Sequence, residues 1–418
     1  MTLRTKISKS TFNLFFLYIT VFYLVPFITH LIYPEEFSSM YQNTHSFWPL
    51  VLTVLCLGAV IFLDPILPRI KSFGILTKPF VFIIGNTKIN IVLGLIFLAC
   101  SIYFYKNFSI SFRHKESISE SGGIIMVLFF FRTYFKTYIF LKLAKFYIGK
   151  DLKNLERASL FLVLLGFIFS LNSSWDAIFI FVIFILLIKK EKQVFSTELV
   201  RNIKSLISKY FKLILLGLVL LSVVFIGYAN KIGAANAWML FGEFEILFLK
   251  VVKRLSMWYL SILTATVNFF EDSSNAYEPF FGTIRTFFYR IGRIFNWNIS
   301  KPEIWSANRM NFLNLFKENT NPRTGASPGI FATIFYIPLF PLNFAIISFY
   351  IIYILRKFSD FFNRIKYNIS FVGYFVLMFF LIPLFESPIN IISIFDKAFI
   401  YFVFFISAIK LIKRESSI

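Results

Sequence analysis

The run TFNLFFLYITVFYLVPFITHLIY, from Thr11 to Tyr33, contains no Asp, Glu, Lys or Arg. A helix of about 20 apolar residues is long enough to cross the hydrocarbon core of a bilayer, so this run predicts a membrane-spanning helix. Arg4, Lys6 and Lys9 precede it, as basic residues precede the apolar part of a signal peptide. Because the run is long and no small-residue cleavage site follows it, we expect an uncleaved first span.

The composition of the whole chain agrees with a membrane protein. Hydrophobic residues make up 58% of the 418 residues and charged residues 15%, and the mean hydropathy is +0.73; these values exclude a soluble domain. The net charge is +22, but no nucleic-acid-binding motif is present, so no nucleic-acid partner is expected. Cys56 and Cys100 both lie in apolar runs, which argues against a disulfide framework and a zinc site.

Apolar runs recur along the chain, and together they predict an all-α polytopic membrane protein. Helices are expected because a helix satisfies its own backbone hydrogen bonds in lipid. The stretch 79–85 is too short to span. About ten candidate spans remain, at 11–33, 48–66, 89–106, 122–141, 158–171, 177–188, 213–229, 330–354, 371–385 and 391–409.

Basic residues orient these spans. With the N-terminus inside, the inner segments hold 26 Lys and Arg, whereas the short outer loops hold only Arg113 and Lys115. This bias is what the positive-inside rule requires, and it predicts that both termini are cytoplasmic. The predicted organisation is an N-terminal bundle at 1–229, a large external loop at 230–329 and a C-terminal bundle at 330–418.

The segment 158–188 has two possible topologies. It forms either a hairpin of two short spans that turns near Asp176, or one long tilted helix. A single helix would place the long loop inside and the seven basic residues of 189–212 outside. The charge bias therefore favours the hairpin.

The long loop contains two helical patterns. From Phe244 onward, apolar residues recur at spacings of three and four, which predicts an amphipathic helix lying on the outer bilayer surface. A second helix is predicted at 280–296, and its arginines fall within an arc of about 140°. Such a face suits phosphate, and equally anionic lipid headgroups. The arginines on it are Arg285, Arg290 and Arg293.

Other residues of the loop extend this candidate site. Arg309 and Arg323 add basic groups, and Arg323 stands in NPRTGASPG (321–329), a turn that leads into the next span. Ser327 lies in the same turn, and amides at the following helix start also favour an anion. Glu278, with Asp272 and Glu271, supplies carboxylates that can act as a base or accept a hydroxyl proton.

Two cations stand inside the fourth predicted span. Arg132 and Lys136 lie one turn apart on one face, and cations at that depth normally face a partner, a cavity or an anionic ligand. The alternatives are an ion pair with Asp176 or Asp396, or extension of Lys136 toward the inner surface. Asp396 and Lys397, in the last predicted span, are interpreted as a structural pair.

Several motifs of well-known enzyme classes are missing. The chain has no GxxxxGK[ST], GxGxxG or HExxH sequence, so ATP-driven transport and metalloprotease activities have no support. His30, His45 and His114 lack metal-ligand spacing. We expect neither a cofactor nor a metal.

This layout resembles that of the Wzy-type O-antigen (polysaccharide repeat-unit) polymerases, most closely over 158–354. The turn at 321–329 with the following 330–338 is similar to the family's Gly-x-x-Pro-type segment between loop and span. Residues 280–295, followed by Trp297 and Lys301-Pro302, are similar to the family's aromatic, arginine-containing segment. One departure is Ser174-Trp175, where the family often has Ser-Arg, which leaves that arginine's role to Arg132 or to the loop.

The resemblance implies a metal-independent glycosyltransferase of the bacterial inner membrane, acting in lipopolysaccharide or related polysaccharide biosynthesis. It would transfer a growing glycan from polyprenyl (undecaprenyl) pyrophosphate to an incoming lipid-linked repeat. The partners are then the lipid-linked oligosaccharide, membrane lipids and a chain-length-regulating membrane protein. The predicted catalytic residues are Arg323, Glu278 and Asp272, and the predicted substrate-binding residues are Arg285, Arg290, Arg293, Arg309, Arg132, Lys136 and Ser327.

Three alternatives stay open. An O-antigen ligase shares the layout but usually has a histidine in the long loop, and 229–329 contains none. A polyprenyl-linked-sugar transferase of the GT-C type would use acids of the first external loop, where Glu35 and Glu36 stand. A lipid-linked oligosaccharide flippase would not be an enzyme, but the internal repeats expected of such a transporter are not visible.

Overall fold

All of the regular secondary structure that the computed structural model describes is helical, which confirms the all-α prediction for that part of the chain. The predicted spans 177–188 and 213–229 lie outside the described residues, as do Asp176, Asp272 and Arg323. The described residues are 7–38, 47–68, 74–108, 123–169, 235, 238, 242, 244–271, 277–295, 297, 299–300, 307–315, 327–338, 340–365, 369, 371–392 and 396–415.

We number the helices in chain order. They are α1 (Lys9–Ile32), α2 (Pro34–Ser38), α3 (Trp48–Ile66), α4 (Gly74–Gly85), α5 (Thr87–Phe108), α6 (Gly123–Tyr147), α7 (Asn154–Phe169), α8 (Phe244–Glu271), α9 (Glu278–Ile294), α10 (Ala307–Leu315), α11 (Gly329–Tyr336), α12 (Leu342–Phe362), α13 (Phe371–Phe385) and α14 (Lys397–Glu415), with a 3₁₀ turn at Pro388–Ile392 between the last two.

Four of the described helices, α1, α3, α5 and α12, are long and apolar enough to cross a membrane. Large apolar side chains such as Leu31, Phe62 and Val92 are exposed along them. Extended apolar surface on long helices indicates a membrane-embedded protein. The number of ten spans and their orientation remain predictions.

The first helix begins and bends for identifiable reasons. The Ser8 hydroxyl accepts a hydrogen bond from the Thr11 amide at 3.3 Å, which caps the helix start. A π-helical turn at Thr20–Leu24 precedes Pro26. Because proline has no N–H and its ring crowds the preceding turn, a local widening of the helix accommodates it.

The predicted span 330–354 is wrong as a single helix, because the chain breaks between α11 and α12. Pro338 and Pro341 fall at the break, and neither can donate a helical hydrogen bond. The Asn343 amide donates to the carbonyls of Ile334 and Ile337, the latter at 3.1 Å. These bonds satisfy carbonyl groups that the interrupted helix leaves without helical donors.

The last predicted span, 391–409, also differs from the structure. Helix α14 begins at Lys397, and the Asp396 carboxylate accepts from the Ala398 amide at 2.9 Å. Asp396 therefore precedes the helix and caps it, as aspartate commonly does. Both Asp396 and Lys397 therefore stand at the start of α14.

Helix α8 exists where the sequence predicted it, but much of it is not a surface helix. Residues 258–266 are buried on every side. Trp258 packs on Phe22 with ring centroids 4.3 Å apart, and the Ser261 hydroxyl accepts from the Asn311 amide at 2.8 Å. Small hydroxyl side chains on the less apolar face allow that face to pack closely as well.

The chain divides into two compact units, and each is assembled from separated segments. Unit one comprises 1–72, 248–363 and 381–402; unit two comprises 73–247, 364–380 and 403–418. These units group the segments that pack together, whereas the predicted division into two bundles and a loop follows the order of the chain. That division stays a prediction.

Unit one contains a buried ion pair between distant parts of the chain. Arg356 Nε donates to the Asp64 carboxylate at 2.7 Å, and the side chains are 13% and 2% exposed. The same guanidinium donates to the carbonyls of Leu67 and Pro68 at 2.9 and 2.8 Å. It therefore satisfies carbonyls at the end of α3 while it joins α3 to α12.

In unit two, α5 packs along α7, where Gly166 leaves space for the Phe97 ring. The Tyr134 hydroxyl of α6 donates to Asn90 on α5 at 2.6 Å. Glu156 of α7 forms a buried ion pair with Lys142 and lies 3.3 Å from Lys145. These polar contacts join α5, α6 and α7.

Candidate functional site

The candidate site lies in unit one, where the chain enters α11. The Gly329 amide donates to the Glu386 carbonyl at 2.9 Å, and the Ser327 hydroxyl donates to the Glu386 carboxylate at 2.8 Å. Gly329 has φ of +76°, a conformation that favours glycine. The turn at 327–329 is thus attached to the residue that follows α13.

Further hydrogen bonds join the neighbouring helices at this junction. The Ser387 hydroxyl donates to Asn308 of α10 at 2.7 Å. Asn311, one turn further along α10, donates to the Ser261 hydroxyl and accepts from the Tyr336 hydroxyl, both at 2.8 Å. Helices α8, α10 and α11 are therefore joined by side chains that are themselves buried.

Charges of both signs surround the Glu386 carboxylate. Lys397 Nζ lies 3.8 Å from it. Asp396 lies within electrostatic range of Arg290, Lys397 and Glu386, and α9 packs against the 3₁₀ turn that precedes Asp396. We call Ser327, Glu386, Arg290, Asp396 and Lys397 the Glu386 cluster.

The Glu386 cluster combines two chemical capacities. Arg290 and Lys397 are cations of the kind that bind phosphate oxygens. The carboxylates of Glu386 and Asp396 are acceptors for a hydroxyl proton. Glu386 directly follows the apolar helix α13, so the cluster places charged side chains at the end of an apolar helix.

Of the predicted site residues, Ser327 and Arg290 belong to this cluster. Glu278 and Arg285, seven residues apart on α9, form an exposed ion pair with each other. A carboxylate paired in this way is less available as a base. The side chains of Arg293 and Arg309, which lie on α9 and α10, are outside the described residues, as are Arg323 and Asp272.

Arg132 and Lys136 belong to unit two. Arg132 is buried and its guanidinium carbon lies 5.6 Å from the Phe167 ring centroid. Lys136 Nζ lies 4.8 Å from the ring centroid of Phe379. Both cations are therefore positioned over aromatic faces, which stabilise a positive charge.

Sequence reasoning missed Glu386. A signal was present, because Glu386 is an acid that directly follows an apolar run and precedes Ser387-Pro388. The sequence alone did not indicate that this acid contacts a turn 59 positions earlier.

The acids considered for the GT-C alternative have a different setting. Lys253 donates to Glu36 at 2.6 Å. This hydrogen bond, with the charge of Lys253, lowers the pKa of the Glu36 carboxyl. A carboxylate with a lowered pKa is a weaker base.

Metal ligands do not gather anywhere in the described part of the chain: no group of three or more His, Cys, Asp or Glu side chains there could hold an ion.

Comparison of the chain with protein-family models, with curated proteins and with solved structures found no match.

Proposed function

We propose that the protein polymerises lipid-linked oligosaccharide repeat units at the outer face of the bacterial inner membrane. The observation that carries this proposal is the Glu386 cluster, which holds two carboxylates and two cations beside the end of an apolar helix. A substrate with a membrane-anchored pyrophosphate and a sugar hydroxyl needs such a combination. The finer topology, with ten spans, both termini cytoplasmic and 230–329 periplasmic, is part of the proposal.

The proposed reaction moves the growing glycan. A hydroxyl oxygen of the incoming lipid-linked repeat attacks the anomeric carbon of the glycan held on polyprenyl pyrophosphate. The bond between that carbon and the pyrophosphate oxygen breaks, and polyprenyl pyrophosphate leaves with the bonding electrons. The hydroxyl proton passes to a carboxylate, so no oxidant, reductant or metal is required.

Within this reaction, Glu386 is the proposed base. The Ser327 hydroxyl donates to one carboxylate oxygen at 2.8 Å and fixes the orientation of the carboxylate, which can accept the proton of a substrate hydroxyl. This role replaces that of Glu278, which pairs with Arg285.

Arg290 and Lys397 are the proposed ligands of the pyrophosphate, with Arg323 as a further candidate. Fixed cations stabilise the charge that develops on a leaving pyrophosphate. The position of Lys397 at the start of α14, beside residues that follow α13, suits a phosphate attached to a lipid tail.

Glycan profiling of a strain that lacks this protein tests the proposal. If the missing protein is a polymerase, the strain makes only single repeat units. If it is a ligase, polymer stays on its carrier, and if it is a flippase, no repeat units reach the outer side. Accumulation of carrier-bound polymer would refute the polymerase proposal.

Complementation of that strain then tests the residues. Glu386→Gln, Arg290→Ala and Lys397→Gln should each reduce polymer about tenfold or more, because a lost charge-assisted contact costs about 1.5–3 kcal/mol. The control is Glu245→Gln, which removes an exposed acid of α8 and should restore wild-type polymer at equal protein abundance.

A further inference from the structure

A second charged site is present in unit two. Seven of the described residues line a cavity of about 520 Å³, and five of these seven are basic. The basic residues come from α4, from α14 and from the segment that follows α12. They are Lys78, Arg364, Lys410, Lys413 and Arg414, and the others are Thr77 and Val81.

The packing of the helices brings these cations together. Lys410, Lys413 and Arg414 recur at spacings of three and four, so they share one face of α14. Lys410 Nζ donates to the Thr77 hydroxyl of α4, which is buried.

Apolar contacts also hold α4 against α14. The rings of Phe80 and Phe404 meet edge to face with centroids 5.1 Å apart. An added Cβ on Gly85 would lie 3.3 Å from Leu411, so the two helices are in close contact there. The cavity wall is thus a fixed junction of two helices.

We propose that this cavity binds a phosphate-bearing anion. Five like charges around one cavity repel each other, and an anion between them offsets that repulsion. Arginine forms bidentate hydrogen bonds with phosphate oxygens, and lysine adds a compact positive charge. A volume of several hundred Å³ is typical of small-ligand sites.

Two sources can supply this chemistry, namely a soluble phosphate or diphosphate and the headgroup of an anionic phospholipid. The three contributing segments all belong to stretches that the charge bias predicts to be cytoplasmic. The inference does not rest on the proposed polymerase function and can hold if that function fails.

The experiment uses the full chain in phosphatidylcholine nanodiscs, titrated with inorganic pyrophosphate in a calorimeter. A parallel series replaces part of the phosphatidylcholine with phosphatidylglycerol and measures lipid retained on the purified protein. The test variant is Lys413→Gln/Arg414→Gln. The matched control is Lys150→Gln/Lys153→Gln, because all four side chains are exposed and both variants remove two charges.

Saturable pyrophosphate binding, weakened about tenfold or more in the test variant and unchanged in the control, identifies a soluble phosphate ligand. Selective retention of phosphatidylglycerol, lost only in the test variant, identifies a lipid headgroup. If the test and control variants behave alike with both probes, the cavity is not a phosphate site and the proposal is wrong.

Discussion

Replacing Gly329 with alanine tests the turn on which the candidate site is built. Gly329 has φ of +76°, and a left-handed conformation costs a residue with a Cβ about 1–2 kcal/mol. The added Cβ would also lie 3.0 and 3.1 Å from the Cγ and Cβ atoms of Trp258, and 3.2 Å from the Tyr23 hydroxyl. Both side chains are buried.

These neighbours have little room to move. Trp258 packs on Phe22 and Tyr18, with ring centroids 4.3 and 5.7 Å away, so a shift would disturb the packing of α1. Crowding of this kind costs about 1–3 kcal/mol. With the backbone contribution, Gly329→Ala should destabilise the protein by about 2–5 kcal/mol.

The assay is thermal unfolding of the purified chain in a nonionic detergent, with protein abundance in membranes as a second measure. The control is Gly58→Ala, because a Cβ at Gly58 on α3 meets no atom within 4 Å. We expect a clearly lower Tm for Gly329→Ala and a Tm at or above the wild-type value for Gly58→Ala. Equal Tm values for Gly329→Ala and the wild type would refute the left-handed conformation and close packing of Gly329.

Three further predictions follow from the ion pairs, the charge bias and the turn at 321–329. Arg356→Ala removes the buried ion pair with the Asp64 carboxylate and should cost about 3–5 kcal/mol, seen as a lower Tm than that of the neighbouring Lys357→Ala; similar Tm values would contradict it. Reporter fusions after Lys190 and after Asn298 should be cytoplasmic and periplasmic, and a periplasmic result at the first site would overturn the orientation. Arg323→Ala should abolish polymer and leave lipid-linked single repeats, with Arg323→Lys partly active if charge dominates; a parallel fall in protein abundance would make this residue structural.

Much of the helical framework could be predicted because hydropathy is a local property. The run 48–66 coincides with α3 and the run 371–385 with α13. The arginine-bearing helix predicted at 280–296 is α9, two residues earlier. In each case a continuous apolar run or a 3.6-residue period defines the helix without help from its neighbours.

The breaks and contacts were harder to predict. Two prolines separated α11 from α12 inside a run that was apolar enough for one span. Burial of α8 depended on hydroxyl side chains, such as Ser261, that pair with a distant asparagine. No local pattern encodes such a partner.

Some residues of the candidate site were predicted from the sequence, but the contacts between them were not. Arg290 and Ser327 were chosen for their charge and their turn, and both lie in the Glu386 cluster. The base was assigned to Glu278, whose ion pair with Arg285 could be anticipated only from the helix period. Glu386 was missed because its contact with the turn at 327–329 is a product of tertiary packing.

The most direct test of the proposed function is reconstitution with a defined substrate. The purified chain in nanodiscs, with a polyprenyl-pyrophosphate-linked repeat unit and EDTA, should form glycosidic bonds and release one polyprenyl pyrophosphate for each bond. Glu386→Gln should bind the same substrate but form bonds about tenfold or more slowly, because it lacks the proposed base. Folded wild-type protein that forms no bonds, or Glu386→Gln that matches the wild-type rate, would contradict the proposal.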